Sequence, residues 1–186
     1  MQLSIDGSFH LTGVYASDKV AYLKHFDDGG EISRCTPVIQ YPYTEEAADW
    51  WIRHRIEFRE QAGKEISFAI RNAQGSLVGA IGADDFPIGE AHRAEVNFWI
   101  AKGYRRRGIA TAALRVFSRY AFEQLCVVRL TAHTLNFNIA AATVIERNGF
   151  RLEGCLRKHT RIKEELFDTL SYGLLIEDWR PETSEK

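Results

Sequence analysis

The sequence lacks the paired cysteines that a disulfide framework or a zinc site would need. Its three cysteines, Cys35, Cys126 and Cys155, are odd in number, lie far apart and form no CxxC pair. The six histidines are scattered without the spacing of metal ligands, so we predict no metal site. These absences exclude the disulfide-stapled secreted domains and favour a protein of the reducing cytoplasm.

Long apolar runs and a strong charge of either sign are also missing. No run approaches the roughly 18 apolar residues that a membrane-spanning helix needs. The first ten residues, MQLSIDGSFH, lack the basic and then apolar order of a signal peptide. The formal net charge is only -1, which argues against a general nucleic-acid binder. We therefore expect neither a membrane nor a nucleic acid as partner.

What is present is the composition of one ordinary globular domain, with 186 residues of which 45% are apolar. Only residues 180–186, RPETSEK, have the composition of a disordered tail. In the second half, strand patterns alternate with helix patterns, which predicts an α/β sheet with at least one parallel βαβ unit. The patterns predict strands over 9–15, 66–71, 77–83, 95–100, 127–135, 150–157 and 165–176, and helices over 17–26, 44–63, 107–122 and 138–147.

The stretch YRRRGIAT places three consecutive arginines before a glycine, between a predicted strand and a predicted helix. The first N–H groups of a helix have no partner within it, and with the helix dipole they form an anion site. Gly108 lets a ligand approach the backbone, so the pattern suits a pyrophosphate; an exposed basic loop is the alternative. Neither GxxxxGK[ST] nor GxGxxG is present, which excludes those two phosphate motifs.

Several motifs, in order, resemble the GNAT superfamily of acyl-CoA-dependent N-acetyltransferases, especially the branch with bacterial ribosomal-protein, spermidine and antibiotic acetyltransferases. RRRGIA matches the family's (Gln/Arg)-x-x-Gly-x-(Gly/Ala) signature, and EVNFWI resembles the strand before it. NIAAATVIERNGF, GFRLEGCLR, FDTLSYGLL and YPYTEEAADWW resemble further segments of that branch. The resemblance spans residues 8–179 and implies one domain, with a mixed, mostly antiparallel twisted sheet of about seven strands and about four helices.

The resemblance also implies acetyl-CoA as cofactor, with its pyrophosphate on the amides of the arginine turn and its pantetheine arm along the preceding strand. Asn138 matches an asparagine that contacts the pantetheine, although it also suits a helix N-cap. The residues expected to bind the cofactor are Phe98, Trp99, Ile100, Arg105, Arg106, Arg107, Gly108, Ile109, Ala110, Thr111, Asn138 and Ala141.

Transfer of an acetyl group to an amine needs a base, and two candidates stay open. Glu95 heads the strand beside the expected cofactor, and His133 lies near the end of the next strand, with a side chain suited to proton transfer at neutral pH. A backbone N–H near 98–100 is expected to stabilise the oxyanion. Ala141 stands where the branch often has serine near the leaving thiolate, so the acid stays unassigned, and the proton is expected to come from water, Tyr172 or another group.

The predicted function is therefore acetylation of a primary amine by direct attack, with a protein N-terminal amine of the ribosomal type as acceptor. A polyamine, amino acid or aminoglycoside is an alternative acceptor, and a non-catalytic acyl-CoA sensor is an alternative function. Trp50, Trp51 and the turn at 41–43 are candidates for an aromatic wall of the acceptor site, or for core packing. The resemblance also allows a homodimer.

Overall fold

A computed structural model describes residues 1–27, 29–36, 39–84 and 92–180. Within them eight strands form one sheet and five helices cover it. The strands are β1 (Gln2–Ser4), β2 (Phe9–Gly13), β3 (Ser67–Asn72), β4 (Leu77–Asp84), β5 (Arg93–Ile100), β6 (Arg129–Leu135), β7 (Arg151–Ile162) and β8 (Glu165–Leu175). The helices are α1 (Lys19–Phe26), α2 (Glu31–Cys35), α3 (Glu45–Ala62), α4 (Ile109–Glu123) and α5 (Ile139–Arg147).

The strand order across the sheet is β1-β2-β3-β4-β5-β6-β8-β7. Every neighbouring pair is antiparallel except β5 with β6, which run parallel because α4 carries the chain back between them. This is the predicted βαβ unit in a mixed, mostly antiparallel sheet. The fold prediction is thus confirmed, with eight strands in place of about seven and five helices in place of about four.

The strong helix signals of the sequence mark real helix ends. Thr44 caps α3 by accepting a hydrogen bond on its hydroxyl from the N–H of Ala47 at 3.2 Å. Gly63 ends the same helix in the left-handed conformation, at φ 64°. The run DDGG at 27–30 predicts a helix end; α1 ends at Phe26, and residue 28 of the run lies outside the described residues.

Two apolar layers enclose the sheet. On one face, α4 buries Leu114 and Phe117 against Val96 of β5. On the other face, Tyr22 of α1 and Ile52 of α3 form a second cluster. Because Phe117 is completely buried, its replacement by alanine would cost about 3–5 kcal/mol of unfolding free energy. The strand β5 lies between both layers, so its side chains alternate between them.

The two elements that the sequence did not predict, β1 and α2, have only three and five residues. Neither is long enough to show a helical or strand period. Residues 181–186 of the expected disordered tail lie outside the described residues. Within the described ranges, no helix has both the length and the apolar character to cross a membrane.

Candidate active site

The sheet splits between its two parallel strands. In the described chain, the ladder between β5 and β6 holds three residue pairs and ends with Glu95 opposite Thr131. Both strands continue, each pairing only with its outer neighbour, β4 or β8. We call the resulting gap between residues 96–100 and 132–135 the wedge.

Backbone donors of β5 point into the wedge. The N–H of Ala101, just after β5, donates to the carbonyl oxygen of Val78 in β4 at 2.8 Å. Because N–H directions alternate along a strand, those of Phe98 and Ile100 are turned the other way, toward β6. Their side chains pack into the core with α4, so what Phe98 and Ile100 offer the wedge is backbone.

The arginine turn lies at the open end of the wedge, after β5 ends at Ile100. Arg106 and Gly108 are both left-handed, at φ 62° and φ 76°, and Gly108 is the N-cap of α4. The first helical hydrogen bond runs from the N–H of Ala112 to the carbonyl of Gly108 at 3.0 Å. The N–H groups of residues 109–111 precede it, so they have no intrahelical acceptor. An ideal Cβ at Gly108 would meet no atom within 4 Å, so the space beside the backbone of Gly108 is open.

The three arginines of the turn are not equivalent. Arg105 is tied to the protein, because its Nε donates to the carbonyl of Ile100 at 3.1 Å. Arg106 and Arg107 are exposed, and the guanidinium of Arg107 lies 5.3 Å from the ring centroid of Tyr104. The turn therefore combines one anchored cation with two exposed ones.

Glu31 of α2 binds two cations near this turn. Its carboxylate contacts Lys102 Nζ at 2.6 Å and Arg105 Nη1 at 2.7 Å. These two hydrogen bonds, first that of Lys102 and then that of Arg105, lower the pKa of Glu31. An exposed carboxylate thus offsets part of the positive charge beside the arginine turn.

The two candidate bases predicted from sequence are hydrogen-bonded to each other at the closed end of the wedge. Glu95 Oε1 lies 3.1 Å from Nδ1 of His133, and about a third of each side chain is exposed. The other ring nitrogen of His133, Nε2, lies 3.1 Å from the hydroxyl oxygen of Ser171 in β8. The three side chains lie on three adjacent strands, on the sheet face opposite α4.

The hydrogen bond between them shifts both pKa values in the directions that favour an ion pair. It lowers the pKa of Glu95, with a smaller opposing effect from burial. It raises the pKa of His133, again against burial. A carboxylate that stays ionised accepts from Nδ1–H, which leaves Nε2 as the nitrogen that gains or loses a proton near neutral pH.

A second polar group follows along β5. The side-chain amide of Asn97 donates to Asp84 of β4. Asp84 in turn pairs with Arg55 of α3 at 2.6 Å. Asn97 lies on the same sheet face as Glu95. This face therefore carries a row of polar side chains beside the wedge, between α3 and β8.

The expected residues of α5 lie at its start. Asn138 is the N-cap, and its side-chain oxygen accepts from the N–H of Ala141 at 3.2 Å. The capping role is therefore present. The helix begins right after β6, which places its first turn at the same end of the sheet as the arginine turn.

Tyr172 is not brought together with Glu95 and His133. It pairs with Ala132 on β6, so its side chain lies on the opposite sheet face from that of His133. Its hydroxyl donates to Glu146 of α5 at 3.0 Å, and the residue is only 1% exposed. Burial, with a further contribution from Glu146, raises the pKa of Tyr172.

The aromatic residues of the N-terminal half divide between packing and surface. Trp99 of β5 packs edge-on against Phe26, with ring centroids 4.7 Å apart. Trp51 is partly buried, and the guanidinium carbon of Arg55 lies 3.8 Å from the centroid of the Trp51 ring. Trp50 is 56% exposed and stacks on His54. Core packing thus accounts for Trp51, while more than half of Trp50 lies on the surface.

Sequence reasoning missed Glu31 and Ser171 as members of this site. Glu31 belongs to the short helix α2, which has no period to detect. Ser171 sits inside a closing strand whose FDTLSYGLL motif was recognised, but only strand register shows that it faces His133. Among the described residues, no group of three histidines, cysteines or acids has the arrangement of a metal site.

Residues 10–151 match a family model described as an acetyltransferase (GNAT) domain. Among curated proteins of Bacillus subtilis (strain 168), YdaF, a putative ribosomal N-acetyltransferase, is 36% identical over 109 residues, 58% of either chain. YjcK, a probable N-acetyltransferase, is 32% identical over 114 residues, 59% of this chain and 63% of YjcK. The matches thus span less than two thirds of both relatives.

The fold is also shared with solved structures. One is RimL, a ribosomal L7/L12 alpha-N-protein acetyltransferase in complex with coenzyme A. It superposes with a TM-score of 0.85 over 96% of this chain and 99% of that chain, at 17% identity.

Proposed function

Because this chain belongs to the GNAT acetyltransferase family, we propose that it transfers an acetyl group from acetyl-CoA to a primary amine. We further propose that the acceptor is the N-terminal amine of a ribosomal protein. The observation that carries the proposal is the Glu95–His133 pair at the closed end of the wedge. It places a group able to take a proton at the point where the parallel strands part.

The residues of the arginine turn fit the diphosphate of acetyl-CoA, which supplies the acetyl thioester when bound. The N–H groups of residues 109–111 and the open space at Gly108 provide an anion cradle at the positive end of α4. Arg106 and Arg107 are exposed and add positive charge, and among the described residues neither forms an ion pair with an acid. Arg105 keeps its tie to Ile100, so its role is to hold the turn against β5.

Strand β5 contributes backbone donors to the reaction. The N–H groups of Phe98 and Ile100 face the wedge, where a carbonyl oxygen that gains negative charge can be stabilised by hydrogen bonds. Such donors cost no reorganisation, because β4 fixes β5 on its other edge. Removing one donor of this kind costs about 10²–10³ in rate in other acyl-transfer enzymes.

His133 takes the proton of the acceptor amine, and Glu95 stabilises the imidazolium that forms. An ammonium group is no nucleophile, so proton removal in the site is worth about 10²–10⁴-fold in rate. Glu95 is held ionised by His133 and is itself a weak base for that reason. The hydrogen bond to Glu95 raises the pKa of His133 above its ordinary value of 6.5, and its imidazole is nearly a third exposed on the sheet face opposite α4.

The choice of a ribosomal acceptor has support from YdaF, whose name describes a ribosomal N-acetyltransferase and whose identity to this chain reaches 36%. RimL, with the same fold, acts on the ribosomal protein L7/L12 according to its name. The exposed Trp50 of α3 is available to contact a polypeptide acceptor.

The test measures release of free coenzyme A thiol with a panel of amines. The panel contains N-terminal peptides of ribosomal proteins, the same peptides with a blocked N-terminus, polyamines, amino acids and an aminoglycoside. We expect turnover with free peptide N-termini and none with the blocked ones. Turnover with a small amine alone would overturn the acceptor assignment, and binding of acetyl-CoA without any turnover would overturn the catalytic one.

A further inference from the structure

We propose that Ser171 is a positioning residue that fixes the ring of His133 and sets the pH at which Nε2 takes a proton. Its kinetic consequences rest on the proposed acetyl transfer; its effect on the titration of His133 does not. Glu95, His133 and Ser171 would then act as one unit that spans three strands.

The contact between Ser171 and His133 is imposed by the backbone. The two residues are directly paired across the antiparallel ladder of β6 and β8, which brings their side chains together on one face. On its other side, Ser171 pairs with Gly154 of β7, so β8 is held at this point from both edges. The strand register therefore places the Ser171 hydroxyl next to the His133 ring, so a short side chain is enough to make the contact.

Both nitrogens of the ring are occupied. Glu95 holds Nδ1, and the Ser171 hydroxyl lies 3.1 Å from Nε2. With Nδ1–H donated to a carboxylate, a neutral ring presents a lone pair at Nε2, and the hydroxyl donates to it. When Nε2 is protonated the hydroxyl turns and accepts from Nε2–H, because a hydroxyl can do either.

The hydroxyl of Ser171 does not stabilise the neutral and the protonated ring of His133 equally. A hydrogen bond from a charged imidazolium is roughly twice as strong as one between neutral partners. Ser171 therefore favours the protonated ring, and its removal lowers the pKa of His133. Removal also frees the ring to turn about Cβ, since one of its two anchors is gone.

Among the described residues, no other group supplies the same contact to His133. The acid that contacts the ring is Glu95 of β5, and the charge of Arg93 on the same strand acts on Glu95. The next hydroxyl along β8 on this face, that of Thr169, bonds to the hydroxyl of Thr160 at 2.7 Å. Thr169 is thus a matched control, since it is two residues from Ser171 and points to the same face.

The first experiment is an NMR titration of the His133 ring in wild type, Ser171→Ala, Ser171→Thr and Thr169→Val. We expect Ser171→Ala to lower the pKa of His133 by roughly half a unit and to change the tautomer signature of its ring nitrogens. Ser171→Thr, which keeps the hydroxyl on a strand-favouring residue, should restore both, and Thr169→Val should leave both unchanged. An unchanged or raised pKa in Ser171→Ala would overturn the proposal.

The second experiment measures acetyl transfer with the same variants. Ser171→Ala should lower kcat about five- to tenfold, with the KM for acetyl-CoA unchanged, and should move the acidic limb of the pH profile to lower pH. Acetylation of Ser171 itself, seen by mass spectrometry, would make it a nucleophile and refute the positioning role. If wild type transfers no acetyl group while the NMR results hold, only the proposed function has failed.

Discussion

Replacing Glu95 with glutamine removes one charge and keeps the shape of the side chain. The amide oxygen of the new residue can still accept from His133 Nδ1, so the hydrogen bond survives and only its charge is lost. This substitution therefore isolates the electrostatic effect of Glu95 on the ring. We expect the pKa of His133 to fall.

The size of the change follows from the geometry of the pair. Unit charges about 4 Å apart interact by about 1 kcal/mol in water and by about 4 kcal/mol near a protein surface. Because about a third of each side chain is exposed, solvent screening keeps the interaction near the lower value. A pKa unit corresponds to about 1.36 kcal/mol, so His133 should titrate roughly half to one unit lower in Glu95→Gln.

The assay is an NMR titration of His133, with the other histidines as internal references, followed by a pH–rate profile. If His133 is the base, kcat/KM should fall about 10²-fold, near the lower end of the range for general bases. The acidic limb of the profile should move to lower pH together with the NMR value. A fall in rate without a shift in the pKa of His133 would refute the reasoning and leave Glu95 as the base.

The same pair also gives stability a pH dependence. The lowered pKa of Glu95 contributes stability that is present above its ordinary value of 4.5 and is lost as the pH falls through the lowered value. The raised pKa of His133 contributes stability that is present below 6.5 and is lost as the pH rises through the raised value. The difference in Tm between wild type and Glu95→Gln should therefore be largest between pH 4.5 and 6.5.

Three further sets of substitutions test other parts of the structure. Gly108→Glu and its control Gly75→Glu each place a side chain at a left-handed residue, at φ 76° and φ 79°, with open space around Cβ. Each should lower the free energy of unfolding by about 1–2 kcal/mol. Only Gly108→Glu should abolish acetyl-CoA binding in calorimetry. Asp18→Asn leaves the buried guanidinium of Arg71 without its carboxylate partner, so the free energy of unfolding in urea should fall by about 3–5 kcal/mol. The double variant Asp18→Leu with Arg71→Met removes both charges and should recover much of that stability. Asn138→Ala should cost about 1 kcal/mol through the lost cap and Asn138→Asp almost nothing, and equal losses for both would contradict the capping role.

The sequence predicted the parts of the site that depend on local order along the chain. The alternation of β5 placed Glu95 and Asn97 on one side and Val96 and Phe98 on the other, and the structure confirms it. The turn before α4 was likewise predicted, because a glycine between a strand and an apolar-striped helix is a local signal.

The parts that depend on strand register could not be predicted from sequence. Glu95 and His133 stood as alternatives because 38 positions separate them, and only the parallel register brings them within 3.1 Å. Ser171 follows His133 by the same number of positions, and it contacts His133 through the antiparallel register of β6 and β8. The contact of Glu31 with Lys102 and Arg105 depends on the path of α2, which no local pattern indicates.

The early end of the β5–β6 ladder has a consequence for how this protein behaves toward other chains. A strand edge with free N–H and C=O groups on the outside of a protein is a template for aggregation. Here the two inner edges face each other across a gap within one molecule, beneath the arginine turn and the start of α5. The protein can therefore keep hydrogen-bonding groups ready for a ligand without displaying them to its neighbours. Any ligand that pairs with those edges adds to folding stability by mass action, so occupancy and resistance to unfolding should rise together.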